Sequence, residues 1–135
     1  MKALDTTVLL ALLHGDRKIR EVLRRLRGVE IAASELGFLE LHILAAQAPV
    51  KERAHRREAL DRLRRSLTVL PFDGKALEKV ARRGVRDDLR SMPPSLLASL
   101  AIFEAAGCEE FITVEPASVT GRWAFRVSGL TPSEH

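Results

Sequence analysis

The sequence predicts an α/β fold, a three-layer α/β/α sandwich built on a mostly parallel sheet of four to five strands. Short apolar runs of strand length alternate along the chain with longer segments that have helical periodicity, and this alternation is typical of parallel sheets covered on both faces. The chain has 135 residues, 46% of them hydrophobic, which is enough for one core and short for two. We therefore expect a single domain over residues 1–135, with residues 128–135 as a frayed tail.

The first strand and helix are predicted from the opening stretch, MKALDTTVLLALL. A short apolar run ends at Asp5, two hydroxyl residues follow at Thr6 and Thr7, and six apolar residues continue without a polar break. Asp5 can cap the helix, but either threonine can cap it equally well and leave the carboxylate free. Because open α/β sheets bind ligands at the carboxyl ends of their strands, Asp5 is the first candidate site residue.

Capping residues and apolar spacing define the second unit. Asp16 opens a helix that Gly28 ends, and Val29–Ala33 forms the second strand. Ser34 then caps a helix that reaches about Gln47, with a core-facing stripe predicted at Leu36, Leu39, Ile43 and Leu44. A charged surface helix is predicted over 51–66, with a narrow stripe at Leu60, Leu63 and Leu67.

The second half of the chain supplies the remaining elements. The third strand is Leu67–Phe72, and Asp73 caps a helix that uses Leu77, Val80, Ala81 and Val85. Ser95 opens a nearly all-apolar helix that must be buried and that extends to Ala106. Phe111–Val114 is the fourth strand, and Trp123–Val127 is a fifth strand at an edge of the sheet.

Candidate chemistry lies in carboxylates near the predicted core. Glu40 shares its predicted helix face with leucines, where a charge is unfavourable unless it is paired or bound to a cation. Glu115 directly follows the fourth strand. The structural alternatives are a buried arginine pair for Glu40 and a solvated loop acid for Glu115. If Asp5, Glu40 and Glu115 meet at one rim, they form an oxygen-lined site suited to Mg²⁺ or Mn²⁺.

Composition and motif spacing narrow the function classes. Gly28, Gly37, Gly74 and Gly84 each stand alone, so no glycine-rich phosphate loop supports a dinucleotide or NTP fold. The chain has 22 basic and 18 acidic residues, and 17 of the basic residues are arginine. Arginine suits a polyanionic partner, but these side chains can equally well be solvated on helix surfaces. A phospho-accepting receiver shares the sheet architecture but would need paired acids after the first strand.

Cysteine content and hydropathy indicate the compartment. The single cysteine, Cys108, can form no internal disulfide, and no apolar run approaches the length of a membrane span. We expect a cytoplasmic protein that does not enter a membrane.

Three stretches of the chain together resemble the PIN domain, the fold of the VapC-type toxin ribonucleases. LDTTVLLALL at 4–13 resembles its opening motif, SELGFLELHILA at 34–45 its second and GCEEFITVE at 107–115 its last. The resemblance implies a parallel sheet between helices, acids that bind Mg²⁺ or Mn²⁺, cleavage of single-stranded RNA, an antitoxin partner and a homodimer. Asp5, Glu40 and Glu115 match its acidic positions, and Thr113 matches its small hydroxyl position near the metal.

One acidic position of the family is missing. The family places an aspartate at the start of the helix before the last motif, but this stretch reads MPPSLLASLAIF, and the position falls on Ser95 or Leu96. A serine hydroxyl is a far poorer ligand for a divalent cation than a carboxylate. Asp87 and Asp88, upstream, more naturally end the preceding basic helix in solvent. The sequence therefore predicts a metal-dependent ribonuclease with an incomplete site, or an impaired relative that binds RNA or a protein.

Overall fold

A computed structural model describes residues 1–83 and 92–133. Its strands are β1 (Lys2–Leu4), β2 (Ile31–Ser34), β3 (Thr68–Leu70), β4 (Glu110–Thr113) and β5 (Arg126–Gly129). Its helices are α1 (Thr6–Leu13), α2 (Arg17–Arg24), α3 (Glu35–Ala46), α4 (Val50–Arg65), α5 (Gly74–Arg83) and α6 (Pro94–Ala105). A short 3₁₀ turn covers Pro116–Ser118.

The five strands form one sheet in the order β3-β2-β1-β4-β5, and every neighbouring pair is parallel. Each strand therefore ends at the same edge of the sheet, and this edge receives the loops that lead into α1, α3 and the 3₁₀ turn. In the centre, Leu4 of β1 is opposite Ile112 of β4. The predicted α/β fold with a parallel sheet is confirmed.

Successive buried residues of the central strands point to opposite faces of the sheet, as the strand period of two requires. Ala3 and Phe111 belong to a core with Leu100 and Phe103 of α6, whereas Leu4 and Ile112 belong to a second core. The second core is completed by residues of the first four helices, namely Val8, Leu9, Ile19, Phe38, Leu41 and Leu60. The sheet thus lies between two helical layers.

Local sequence explains where several helices begin. Asp16 accepts a hydrogen bond from Ile19 N, Ser34 from Gly37 N, and the Asp73 carboxylate from Ala76 N, so the predicted capping roles are found. The α6 helix differs, because it begins at Pro94 with Pro93 before it and no side-chain cap. Proline favours the first helical position since its fixed φ suits the helix, and Ser95 therefore lies inside the first turn.

The core-facing stripe predicted for α3 is wrong. Gly37, Phe38, Leu41 and Ala45 are buried, while Leu39, Ile43 and Leu44 are 56, 48 and 46% exposed. Apolar residues occur on all sides of this helix, so the spacing of apolar residues in the sequence could not identify its buried face.

The predictions for the C-terminal segment also need correction. The edge strand is Arg126–Gly129 rather than Trp123–Val127. The segment expected to be a frayed tail is hydrogen-bonded to the rest of the domain as far as Ser133. Leu130 N donates to Thr113 O, and Ser133 N donates to the Asp16 carboxylate. The predicted roles of Val85, Asp87 and Asp88 fall outside the described residues.

None of the helices in the described part of the chain has the length and apolar character needed to cross a membrane.

Candidate metal-binding cleft

The Asp5 carboxylate is held in a fixed orientation at the end of β1. Its Oδ1 accepts from Thr6 N at 2.8 Å, and its Oδ2 accepts from Thr7 Oγ1 at 2.8 Å and Thr113 Oγ1 at 2.7 Å. Asp5 is also the N-cap residue of α1, so of the two capping alternatives that the sequence left open, the structure shows the one in which Asp5 itself caps the helix. No lysine or arginine in the described part of the chain pairs with this carboxylate, so none of these residues offsets its negative charge.

Thr113 connects the ends of β1 and β4. Its side chain is 1% exposed, and its hydroxyl donates to Asp5 while accepting from Glu115 N at 3.0 Å. The backbone supports the same arrangement, because Asp5 N donates to Ile112 O at 2.9 Å. The direction of each hydrogen bond follows from these partners, since Glu115 N can only donate.

A cleft of about 310 Å³ opens at this edge of the sheet and brings the three predicted acids together. Asp5, Glu40 and Glu115 all line it. Its other lining residues are Thr6, Thr7, Leu10, Leu44, Pro93, Ser95, Leu96, Ser99 and Ser118. Among these residues there is no lysine, arginine or histidine, so none of the described residues that line the cleft neutralises its three acids.

Glu40 and Glu115 differ in their surroundings. Glu40 is half-buried on α3 and accepts no hydrogen bond from the described residues, which contradicts its predicted place on a core-facing stripe. Glu115 is exposed, and its Oε2 accepts from Ser118 Oγ at 3.3 Å. Glu40 is therefore the carboxylate that is most available for a ligand.

Close packing between α1 and α3 sets the position of Glu40 relative to Asp5. A Cβ atom on Gly37 would lie 2.7 Å from Thr6 Oγ1, so only glycine allows α3 to approach α1 this closely. Glu40 follows one turn later on the same helix, because residues three apart share a face. Ser34 Oγ, which caps α3, also contacts Ser99 Oγ at 2.9 Å.

The missing acidic position lies in the wall of the cleft. Ser95 and Leu96 both line it from the first turn of α6. Ser99, one turn later, is a further hydroxyl in this wall and was not predicted from the sequence. It could have been found there, because a residue four positions after Ser95 lies on the same helix face. This wall therefore offers hydroxyls where the family pattern has a carboxylate.

The donor atoms suit a hard divalent cation, but their spacing does not enclose one. Carboxylate and hydroxyl oxygens are the ligands that Mg²⁺ prefers. Among residues 1–83 and 92–133, however, no three acidic, histidine or cysteine side chains lie close enough to hold one ion together. Since Mg²⁺ commonly keeps several waters and binds one or two carboxylates, the cleft fits a hydrated ion held by few protein ligands.

Comparison with known proteins identifies the family and the fold. The PIN domain family model matches residues 2–113, whereas no curated protein sequence matches the chain. Solved structures that share the fold include FitAcB from Neisseria gonorrhoeae, at 17% identity and a TM-score of 0.77, with 94% of this chain and 96% of that chain covered. DNA-bound VapBC from Salmonella typhimurium has 16% identity, a TM-score of 0.76 and coverage of 95 and 96%.

A third similar structure is VapC20 of Mycobacterium tuberculosis, described as a sarcin-ricin loop cleaving toxin. It is 16% identical, with a TM-score of 0.64, and the match covers 82% of this chain and 87% of that chain. At these identities the likeness shows a shared fold.

Proposed function

The chain belongs to the PIN domain family, and on that basis we propose that it is a ribonuclease that cleaves single-stranded RNA with Mg²⁺ or Mn²⁺ in the cleft of Asp5, Glu40 and Glu115. The observation that carries the proposal is the charge of this cleft, which among the described residues has three carboxylates and no basic residue in its lining. Uncompensated carboxylates at a half-buried site favour a bound cation.

The three acids have different parts in this proposal. Asp5 is the fixed ligand, because two threonine hydroxyls and a backbone amide hold its carboxylate. Glu40, which has no partner in the described chain, approaches the ion or accepts a proton from the attacking water. When bound, the ion polarises a phosphoryl oxygen and lowers the pKa of its water.

We propose that the activity is weak. The cleft lacks a carboxylate at Ser95 or Leu96, and with fewer acids it has less charge to hold a second ion at about 3.5 to 4 Å from the first. Losing one electrostatic stabiliser of a charged transition state lowers rates by about 10² to 10³. We expect a similar deficit here relative to a site with all its carboxylates.

One structure that shares the fold is named for its biological system. VapBC-5 from Mycobacterium tuberculosis is described as a member of the VapBC family of toxin–antitoxin systems. We propose that this chain is likewise the toxin of such a pair, in the cytoplasm, with a protein antitoxin. We also propose a homodimer, because Leu39 and Ile43 form an exposed apolar pair on α3. An apolar surface of this kind is typical of an interface.

The test is a fluorogenic single-stranded RNA assay with Mn²⁺. We expect slow cleavage by the wild type, loss of cleavage with EDTA and in Glu40→Gln, and a gain in Ser95→Asp or Leu96→Asp. Glu40→Gln is a cleaner probe than Asp5→Asn because Asp5 also caps α1. Cleavage that survives both EDTA and Glu40→Gln would reject the site, and rapid wild-type cleavage would reject the predicted weakness.

A second candidate function is RNA binding without cleavage. It is favoured by the absence of a three-ligand group among residues 1–83 and 92–133. Mn²⁺ titration by calorimetry separates the two functions: the nuclease proposal requires binding that Glu40→Gln weakens, whereas the second candidate requires RNA binding in EDTA and no cleavage at any Mn²⁺ concentration.

A further inference from the structure

Positive charge is concentrated on the helices that cover one face of the sheet. Residues 17–27 have six basic residues against one acidic, and residues 50–65 have seven against three. These two segments therefore carry nine more positive than negative charges, although the net charge of the whole chain is only +4. Both segments pack on the same core through Ile19 and Leu60. The remainder of the chain, which includes the acidic cleft, is net negative.

Within this basic face, a groove of about 300 Å³ lies between α3 and α4. It is lined by His42, Ala45, Ala46, Arg53 and Arg57. Arg53 Nε donates to Ala48 O at 2.8 Å, which fixes the side chain and leaves its two terminal nitrogens for a ligand. In the described part of the chain, neither Arg53 nor Arg57 is paired with a carboxylate. The groove is thus a cationic site in which no described carboxylate balances the charge of the two arginines.

A second groove is lined by residues of α1, α3 and α4. It has a volume of about 210 Å³, shares Ala45 with the basic groove and shares Leu10 and Leu44 with the cleft. Its titratable lining residues are His14, His55 and Arg56, and Arg56 is paired with Glu52 at 3.4 Å. In the described part of the chain, the unpaired arginines that line a groove are therefore those between α3 and α4.

We propose that the groove between α3 and α4 binds backbone phosphates of single-stranded RNA through Arg53 and Arg57. The identity of the polyanion rests on the proposed function, while the location rests on the charges and grooves. The guanidinium group presents several N–H donors in a planar fork that matches phosphate oxygens.

The lining of the groove indicates backbone contacts rather than base recognition. Its apolar residues are two alanines, and among the described residues no phenylalanine or tryptophan lines it, so that His42 provides its one ring. Base stacking on aromatic rings is the usual source of affinity for unpaired bases. We therefore expect binding with little sequence preference and a strong dependence on salt, as phosphate contacts give.

The experiment measures fluorescence polarisation of a labelled oligouridylate in EDTA, where no metal-dependent cleavage occurs. The groove variant is Arg53→Gln with Arg57→Gln, and the matched control is Arg62→Gln with Arg65→Gln, which removes the same charge from exposed positions on the same helix. We expect about tenfold weaker binding in the groove variant and a salt slope reduced by about 1.4, from about 0.7 for each lost contact with a single strand. The control should change far less.

The single variant Arg57→Gln tests the proposal even if the double variant misfolds, because Arg57 has no hydrogen bond to the rest of the described chain. It should reduce the salt slope by about 0.7. Equal weakening by the groove and control pairs would overturn the proposal, since it would indicate diffuse attraction. The proposal would also be overturned if the groove variant bound RNA as tightly as the wild type but bound polyglutamate more weakly. That result would indicate that the groove binds an acidic protein. The measurement in EDTA does not depend on metal binding in the cleft. The RNA-binding result can therefore be interpreted even if the protein proves not to be a nuclease.

Discussion

The Glu110 side chain provides a quantitative test of how the edge strand is held. It lies at the start of β4, is 7% exposed, and contacts three residues of neighbouring strands. Lys2 Nζ lies 3.1 Å from its Oε1, and Arg126 Nη2 and Ser128 Oγ lie 2.7 and 2.6 Å from its Oε2. These contacts join β1, β4 and β5.

The same contacts lower the pKa of Glu110 from 4.5 to about 2. The hydrogen bond from Ser128 is the largest cause, and those from Arg126 and Lys2 act in the same direction against the effect of burial. Because one pKa unit corresponds to about 1.4 kcal/mol, the ionised carboxylate stabilises the fold by about 3 kcal/mol at neutral pH. A depressed folded pKa means that this stability is present above pH 4.5 and is lost as the pH falls toward 2.

We therefore expect Glu110→Gln to lower the free energy of unfolding by about 3 kcal/mol at pH 7, measured by urea denaturation. The difference from wild type should shrink steadily between pH 4.5 and pH 2. The control is Glu109→Gln, an adjacent glutamate that is 64% exposed and should change stability by less than about 0.5 kcal/mol. Equal effects of the two variants, or a Glu110→Gln effect that does not fall with pH, would refute this reasoning.

Three further predictions concern packing, assembly and reactivity. Gly37→Ala should weaken Mn²⁺ binding in calorimetry by forcing α3 away from Thr6, and adding Thr6→Ala should restore it by removing the 2.7 Å contact; no rescue would contradict the argument. Leu39→Glu with Ile43→Glu should convert a dimer to a monomer in light scattering, and a wild-type monomer throughout the micromolar range would reject the dimer. Since burial raises the pKa of the Cys108 thiol, its reaction with a disulfide reagent at pH 7 should be slow in the folded protein and fast in urea; equal rates would contradict its burial.

The sequence predicted the strand ends well because each is marked by a change from an apolar run to a capping or loop residue. The first strand was expected to end at Asp5 and the fourth at Val114, and β1 and β4 end at Leu4 and Thr113. Parallel strands bring such ends to one edge, so the three acids of the candidate cleft, Asp5, Glu40 and Glu115, could be named from the sequence. The resemblance to the PIN domain is confirmed by the family match.

Details that depend on packing could not be predicted in the same way. The apolar residues of α3 surround the helix, so the identity of its buried face depends on Gly37 fitting against Thr6. The edge strand β5 was misplaced because its register is fixed by the contact between Arg126 and Glu110, which joins residues 16 apart. The hydrogen bonds from Thr7 and Thr113 to Asp5 likewise require the folded sheet.

The double role of Asp5 has a consequence for how the history of this family can be traced. A residue that caps a helix and joins two strands is retained by selection for folding, even in a lineage that no longer cleaves anything. Glu40 has no such structural role in the described chain, so its loss would leave folding intact. If the site works as proposed, we therefore expect Glu40, rather than Asp5, to distinguish relatives that cleave RNA from relatives that do not.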